Sequence, residues 1–174
     1  MKKVFQTIVD KGRGNCMQAT VASLFGLTLD EVPNFIEFEN HEKFPDTNHF
    51  VEMKKFYKKM GYGDDLAYIN RKKDDTLELM IKIAKFDGGI DGYLDATVPS
   101  QTFQDTYHSV VVDTDLNIIH DPNPNQLAMK LKPDDVVGFV VHRDFIIGKT
   151  GTIFTLEEWD ALPQETKDEN IFKS

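Results

Sequence analysis

Three residues in this chain are of types that together perform nucleophilic chemistry. Cys16 is its only cysteine, and it follows the polar, glycine-bearing stretch Asp10-Lys11-Gly12-Arg13-Gly14-Asn15. Two glycines permit a tight turn there. The residues from Cys16 to Gly26 are apolar or small on nearly all sides, as in a helix buried within a core. A thiol at the start of such a helix sits at the positive end of the helix dipole, which favours the nucleophilic thiolate. A lone cysteine is as a rule a structural one, and its place at a helix start is what argues for chemistry here. His108 opens the apolar run Tyr107-His108-Ser109-Val110-Val111-Val112. An imidazole fixed on a strand can face a helix terminus across a cleft and take and return a thiol proton. In Asn117-Ile118-Ile119-His120-Asp121-Pro122 a second strand ends in a carboxylate. A hairpin turning at Asp113-Thr114-Asp115-Leu116 would bring Asp121 beside His108, where it can orient the ring and stabilise imidazolium. His120 competes for either role, but alternation along a strand sends His120 and Asp121 to opposite faces, so only one of them reaches the site.

The elements that must position these residues fall into two halves. The segment Val4 to Val9 reads as a short strand, and the helix from Cys16 stops at Gly26. Thr28-Leu29-Asp30-Glu31 has capping-box spacing and predicts a second short helix with Pro33 in its first turns. Asn48 caps a third helix with Phe50, Met53, Phe56, Tyr57 and Met60 on its apolar face and Gly61 as stop. A fourth runs from about Asp75 to Phe86, with Leu77, Met80, Ile81 and Ala84 as its buried stripe. After Gly88-Gly89 come β-rich runs at Tyr93 to Val98, Tyr107 to Val112, Asn117 to His120 and Val136 to Ile147. Thr155-Leu156-Glu157-Glu158 caps a last helix ahead of a charged end. The expectation is a single α+β domain over 1–174: a helical part over about 1–90, a mostly antiparallel sheet over about 91–150, and a helical tail over about 155–174.

Composition narrows the function. The formal charge of −9, with no basic run longer than Arg71-Lys72-Lys73, argues against a nucleic-acid partner. No stretch approaches the roughly 18 apolar residues of a membrane span, and Met1-Lys2-Lys3-Val4 does not lead into a signal peptide. One cysteine cannot form an internal disulfide, which fits a reducing, cytoplasmic setting. His41, His49, His108 and His120 lack metal-binding spacing, so no metal is expected. Asp95, on the strand before the histidine strand, reads as an ordinary solvated strand residue, although a place in the cleft is open to it. His142, in a Val-rich run, reads as a satisfied sheet histidine.

The run Gly14-Asn15-Cys16-Met17-Gln18-Ala19, continued by Ala22 to Leu27 and Glu31-Val32-Pro33 and followed by His108 to Val111 and His120-Asp121-Pro122-Asn123-Pro124, resembles the papain-like cysteine peptidase superfamily. Within it, the likeness is nearest to the bacteriocin-processing double-glycine peptidases and small bacterial and phage relatives. It is loose between Phe38 and Asp91. The resemblance implies a papain-like fold, with the nucleophile helix in an N-terminal helical half packed on the sheet. It implies Cys16 as nucleophile, His108 as general base and acid, Asp121 as the orienting residue, and no cofactor. In papain-like enzymes an upstream glutamine helps hold the oxyanion. The position six residues before Cys16 is Asp10, so Gln6 takes that role if the Gly12 to Gly14 loop bulges, with Asn15 as a lesser substitute. The expected activity is hydrolysis of a peptide, isopeptide or related acyl bond in a peptide or protein substrate. The alternatives are acyl or amide transfer by the same triad, or a catalytically silent module that binds a protein partner, such as a phage-encoded inhibitor of a host system.

Overall fold

The computed structural model describes residues 1–38, 48–62 and 65–170. Helix α1 (Cys16–Phe25) ends at Gly26 with φ +69°, and Ala19 to Leu24 are all buried, so its lack of a polar face matches its surroundings. α2 (His49–Lys59) is capped by the Asn48 side chain, which accepts from the Val51 N–H. α3 (Leu77–Asp87) is capped by Thr76. Its buried side is Met80, Ile83, Ala84 and Asp87, whereas Leu77 and Ile81 are only partly covered.

A five-stranded sheet forms the centre, in the order β1 (Ala67–Asn70), β5 (Gly138–Val141), β2 (Tyr93–Pro99), β3 (Tyr107–Asp113), β4 (Ile118–His120), with every pairing antiparallel. Leu94, Ala96, Val98, Val110 and Val112 form one core with Met80, Ile83 and Ala84 of α3. Val111 and Val140 belong to a second core with Val21, Ala22 and Leu24 of α1 and Met53, Phe56 and Tyr57 of α2. Helices therefore cover both faces of the sheet, which is why β5 is buried at all four positions and β3 from Ser109 to Val112. A small hairpin of β6 (Ile146–Ile147) and β7 (Ile153–Phe154) leads to α4 (Leu156–Ala161), capped by Thr155, and α5 (Gln164–Asn170).

Several expectations give way. The first half is not all helical, because β1 lies within it and pairs with β5 across the chain, from Ala67 with Val141 to Asn70 with Gly138. The Val4 to Val9 segment joins no sheet: its N–H groups go to the Ser23 hydroxyl, the Pro122 carbonyl and the Asn15 side chain. The second helix shrinks to a 3₁₀ turn at Leu29–Glu31, where the Glu31 carboxylate accepts from the Thr28 N–H. Val32 is already extended, the conformation that a following proline favours, so Pro33 lies outside the turn. The Val136 to Ile147 run splits into β5 and β6. Among the described residues, no helix is long and apolar enough to cross a membrane.

Candidate active site

The approach to Cys16 is built by hydrogen bonds around Asn15. Its Oδ1 accepts from the backbone N–H groups of Thr7 (3.0 Å) and Ile8 (2.9 Å), while its Nδ2 donates to Thr7 Oγ1 and Gln18 Oε1. Gln18 in turn donates to the carbonyls of Leu29 and Val32. The loop between closes through Gly14 N–H to Asp10 O and Asn15 N–H to Ile8 O. A Cβ at Gly14 would lie 3.1 Å from the Asp10 carbonyl and 3.2 Å from that of Ile8, so a side chain there would press on both carbonyls that close this turn. The fold-back lets Gln6, ten positions upstream, line one cleft with Cys16 and His108. Both Asn15 donors are engaged, so the expectation of Asn15 as an oxyanion donor is replaced by a positioning role: it holds the upstream segment to the start of α1.

Gln6 has one amide proton on the Ile8 carbonyl at 3.1 Å, which leaves a second N–H for the cleft. The Cys16 backbone N–H, in the first turn of α1, has no partner within the helix. These two donors are the material of an oxyanion hole. In a hydrolase working through this cleft, Gln6→Ala would lower kcat by about 10² to 10³ while leaving the alkylation rate of Cys16 nearly as it was; equal losses in both measurements would make Gln6 a structural residue instead.

His108 stands near the start of β3 with its side chain 12% exposed, and its Nε2 lies 2.6 Å from Asp121 Oδ1. Asp121, 1% exposed, also accepts from the Asn123 N–H (2.8 Å, Oδ1) and the Ala128 N–H (2.8 Å, Oδ2). With Nε2 engaged, Nδ1 is the ring nitrogen left for the thiol. Burial pulls the His108 pKa down, but the Asp121 hydrogen bond, then the contact with Cys16 and the charges of both partners, outweigh it and raise the pKa to about 9. For Asp121, burial works upward and is overcome by the bond from His108 and the two backbone N–H groups, so its pKa falls below the usual value.

The β4 register separates the two neighbouring candidates. His120 pairs with Val111, three positions from His108, so the next residue along, Asp121, shares the His108 side of the strands. The His120 Nε2 lies 2.7 Å from the Val4 carbonyl, its ring packs edge-on against Phe5, and burial lowers its pKa. It ties the upstream segment to the sheet and takes no part in the site.

A pH dependence follows. The raised His108 pKa contributes stability that is complete below its unfolded value near 6.5 and is lost as the pH rises through about 9. The lowered Asp121 pKa contributes stability that is present above 3.8 and is lost as the pH falls through its depressed folded value. Urea unfolding of wild type and His108→Ala should therefore differ most between about pH 4 and 6.5, by roughly 2 to 3 kcal/mol, and converge above pH 9. A pH-independent difference would mean that only packing had been lost.

Other expectations resolve as follows. Asp95 is buried, not solvated, and accepts from the Ser109 hydroxyl at 2.6 Å. His142 lies one residue past β5 and is only half satisfied: it donates its backbone N–H and presents Nδ1 to Asp87, with its ring stacked on Tyr57, but its buried Nε2 has no partner. Among the described residues, no three His, Cys, Asp or Glu side chains converge to hold a metal ion, and His41 lies outside those residues. Sequence reasoning missed the wall contributed by the loop between β2 and β3, where Ser100, Thr102 and Phe103 line the cleft; a polar link between two apolar strands was its only signal. Compared with family models, with curated proteins and with solved structures, the chain matches none.

Proposed function

We propose that this chain is a papain-like cysteine hydrolase acting on a peptide, isopeptide or thioester bond in the cytoplasm, with Cys16 as nucleophile, His108 as general acid and base, and Asp121 as the orienting carboxylate. The observation that carries the reading is the His108 ring, held at 2.6 Å by a buried carboxylate on Nε2 and lining one cleft with the Cys16 side chain, whose proximity raises the His108 pKa. A buried histidine with an ordinary structural role needs one partner; this one has two of opposite chemical use.

The Cys16 thiolate attacks the carbonyl carbon, forming the C–S bond as the carbonyl π electrons move to oxygen. The backbone N–H of Cys16 and the free N–H of Gln6 receive that oxyanion. As it collapses, the bond to the leaving group breaks and imidazolium gives its proton to the departing amine or thiolate. His108, now neutral, takes a proton from water; the resulting attack on the acyl-enzyme releases a carboxylic acid and returns the thiol proton to the pair. Asp121, never protonated, keeps Nε2–H pointing away from the sulfur and stabilises the imidazolium. No cofactor is required. The lone cysteine suits a reducing compartment, which supports the cytoplasmic setting.

The test is trapping by a peptidyl acyloxymethyl ketone, followed by intact mass and peptide mapping. Wild type gains one adduct on Cys16 at pH 6, and Cys16→Ser and His108→Ala do not. A wild-type protein that reacts at pH 6 no faster than free cysteine would sink the proposal and favour a silent, partner-binding module.

A further inference from the structure

The loop between β2 and β3, residues 100–106, is held together from within. The Ser100 N–H donates to the Thr106 carbonyl at 2.9 Å, and the Ser100 hydroxyl oxygen accepts from the N–H groups of Thr102 (3.3 Å) and Phe103 (3.1 Å). The Thr106 hydroxyl donates to the Phe103 carbonyl at 2.9 Å, so Phe103 is fixed at both ends of its peptide unit. Hydroxyls that satisfy nearby backbone groups in this way make a short loop a preformed unit. Ser100, Thr102, Phe103 and Thr106 all line the cleft that holds Cys16 and His108.

One side chain joins this unit to the rest of the molecule. Among the described residues, the bond from Asn123 Nδ2 to Thr102 Oγ1, at 3.2 Å, is the one hydrogen bond that runs from the loop to a segment outside the β2–β3 hairpin. Asn123 is buried and also lines the cleft. Its remaining groups are engaged in the turn after β4: the N–H donates to Asp121 Oδ1 at 2.8 Å, Oδ1 accepts from the Asn125 N–H at 3.0 Å, and the carbonyl accepts from the Gln126 N–H at 2.8 Å. Asp121 Oδ1 is the oxygen that faces His108 Nε2. Asn123 therefore touches the carboxylate that orients His108 with its backbone, and a wall of the cleft with its side chain. A turn closed through Oδ1 is made equally well by aspartate. The Nδ2 donor is what asparagine adds, and it goes to the loop.

We propose that Asn123 is a substrate-positioning residue: through Thr102 it fixes the β2–β3 loop relative to the Asp121–His108 pair, so that a peptide lying against that wall arrives in register with Cys16. This rests on reading the cleft as the site of acyl transfer. The bond to Thr102 lies on the side chain of Asn123 and the bond to Asp121 on its backbone, so the wall can be released while the triad keeps its own hydrogen bonds. A wall already in place spares the complex the cost of ordering the loop. Its release therefore weakens the binding of a peptide and leaves the reactivity of the thiol itself alone.

The test compares two electrophiles on Cys16: iodoacetamide, which is too small to lie along the wall, and the peptidyl acyloxymethyl ketone, with its KI and kinact determined separately. Thr102→Val keeps the shape of the side chain and removes the acceptor. It is expected to raise KI for the peptidyl reagent about fivefold, as loss of one hydrogen bond implies, with kinact and the iodoacetamide rate as in wild type. Thr102→Ser, which keeps the hydroxyl, should restore the wild-type KI. Asn123→Ala should raise KI to the same degree, and Asn123→Ala combined with Thr102→Val no further, because both remove one bond. Losses that multiply in the double variant would mean two independent contacts with the substrate and overturn the inference. An unchanged KI in Thr102→Val overturns it as well, as does an iodoacetamide rate that falls in step with the rise in KI, the mark of a generally loosened fold. The Thr102 variants carry the test by themselves where Asn123→Ala disturbs the turn. A wild-type Cys16 inert to both reagents overturns the hydrolase and this inference with it, whereas a reactive Cys16 with an unmoved KI overturns the positioning role alone.

Discussion

Alkylation of Cys16 by iodoacetamide at pH 6 is expected to slow about tenfold when His108 is replaced by alanine. The thiolate is the reacting species, and an ordinary cysteine, with a pKa of about 8.5, is less than about 1% ionised at that pH. In the folded protein the neighbouring ring is held protonated up to about 9, so a fixed positive charge stands beside the sulfur throughout the neutral range. The variant lacks that neighbouring cation, and about tenfold is the expected order of the loss in rate. The helix dipole at the head of α1 persists in the variant, so the difference isolates the imidazolium. His108→Lys provides a control: it restores a cation with no ring and should recover part of the alkylation rate, but under the proposed mechanism no turnover, because an ammonium of pKa about 10.4 is a weak acid and no base near neutral pH. Equal alkylation by wild type and His108→Ala would show that the two side chains do not act as a pair.

The second large effect is on stability. Asp121→Ala is expected to cost about 3 to 5 kcal/mol in urea unfolding at pH 7 and to bring the His108 pKa down from about 9 toward its ordinary range or below. The carboxylate does more than face His108: it also accepts from the backbone N–H groups of Asn123 and Ala128, which fold the chain after β4 back over the site. Removing it strands two buried amide donors and an imidazolium at once. Asp121→Asn keeps one acceptor oxygen but turns an NH₂ toward one of the donor groups, so it should cost somewhat less, about 2 to 3 kcal/mol, and lose the charge as completely. The two readouts separate the roles. A shifted His108 with unchanged stability would make Asp121 an electrostatic partner only, and the reverse would make it a bracket for the turn.

Much of this site was legible one element at a time. Asn48 and Thr155 cap the helices they precede, and Gly26 ends α1, because capping and left-handed turns depend on residues within one turn of each other. The apolar wrap of α1 and the alternation that parts His120 from Asp121 are equally local, since helix and strand periods are properties of the backbone. Residue type together with local position put Cys16, His108 and Asp121 forward: a thiol at a helix start, and an imidazole and a carboxylate on two strands joined by a short turn. What the chain had to fold to decide was long-range. β1 is four residues long and is stabilised by β5, about seventy positions later, so its own pattern was too short to announce it. α3 crosses to the far face of the sheet, which an amphipathic stripe cannot foretell, because a stripe names a buried side and no partner. Gln6 reaches the cleft only because Asn15 folds the upstream loop back, and Asp95 is buried because helices close both sides of β2. Residue chemistry and short-range pattern name the able side chains and the elements that carry them; which of those side chains meet follows from burial and strand pairing between distant segments, which depend on the packing of the whole chain.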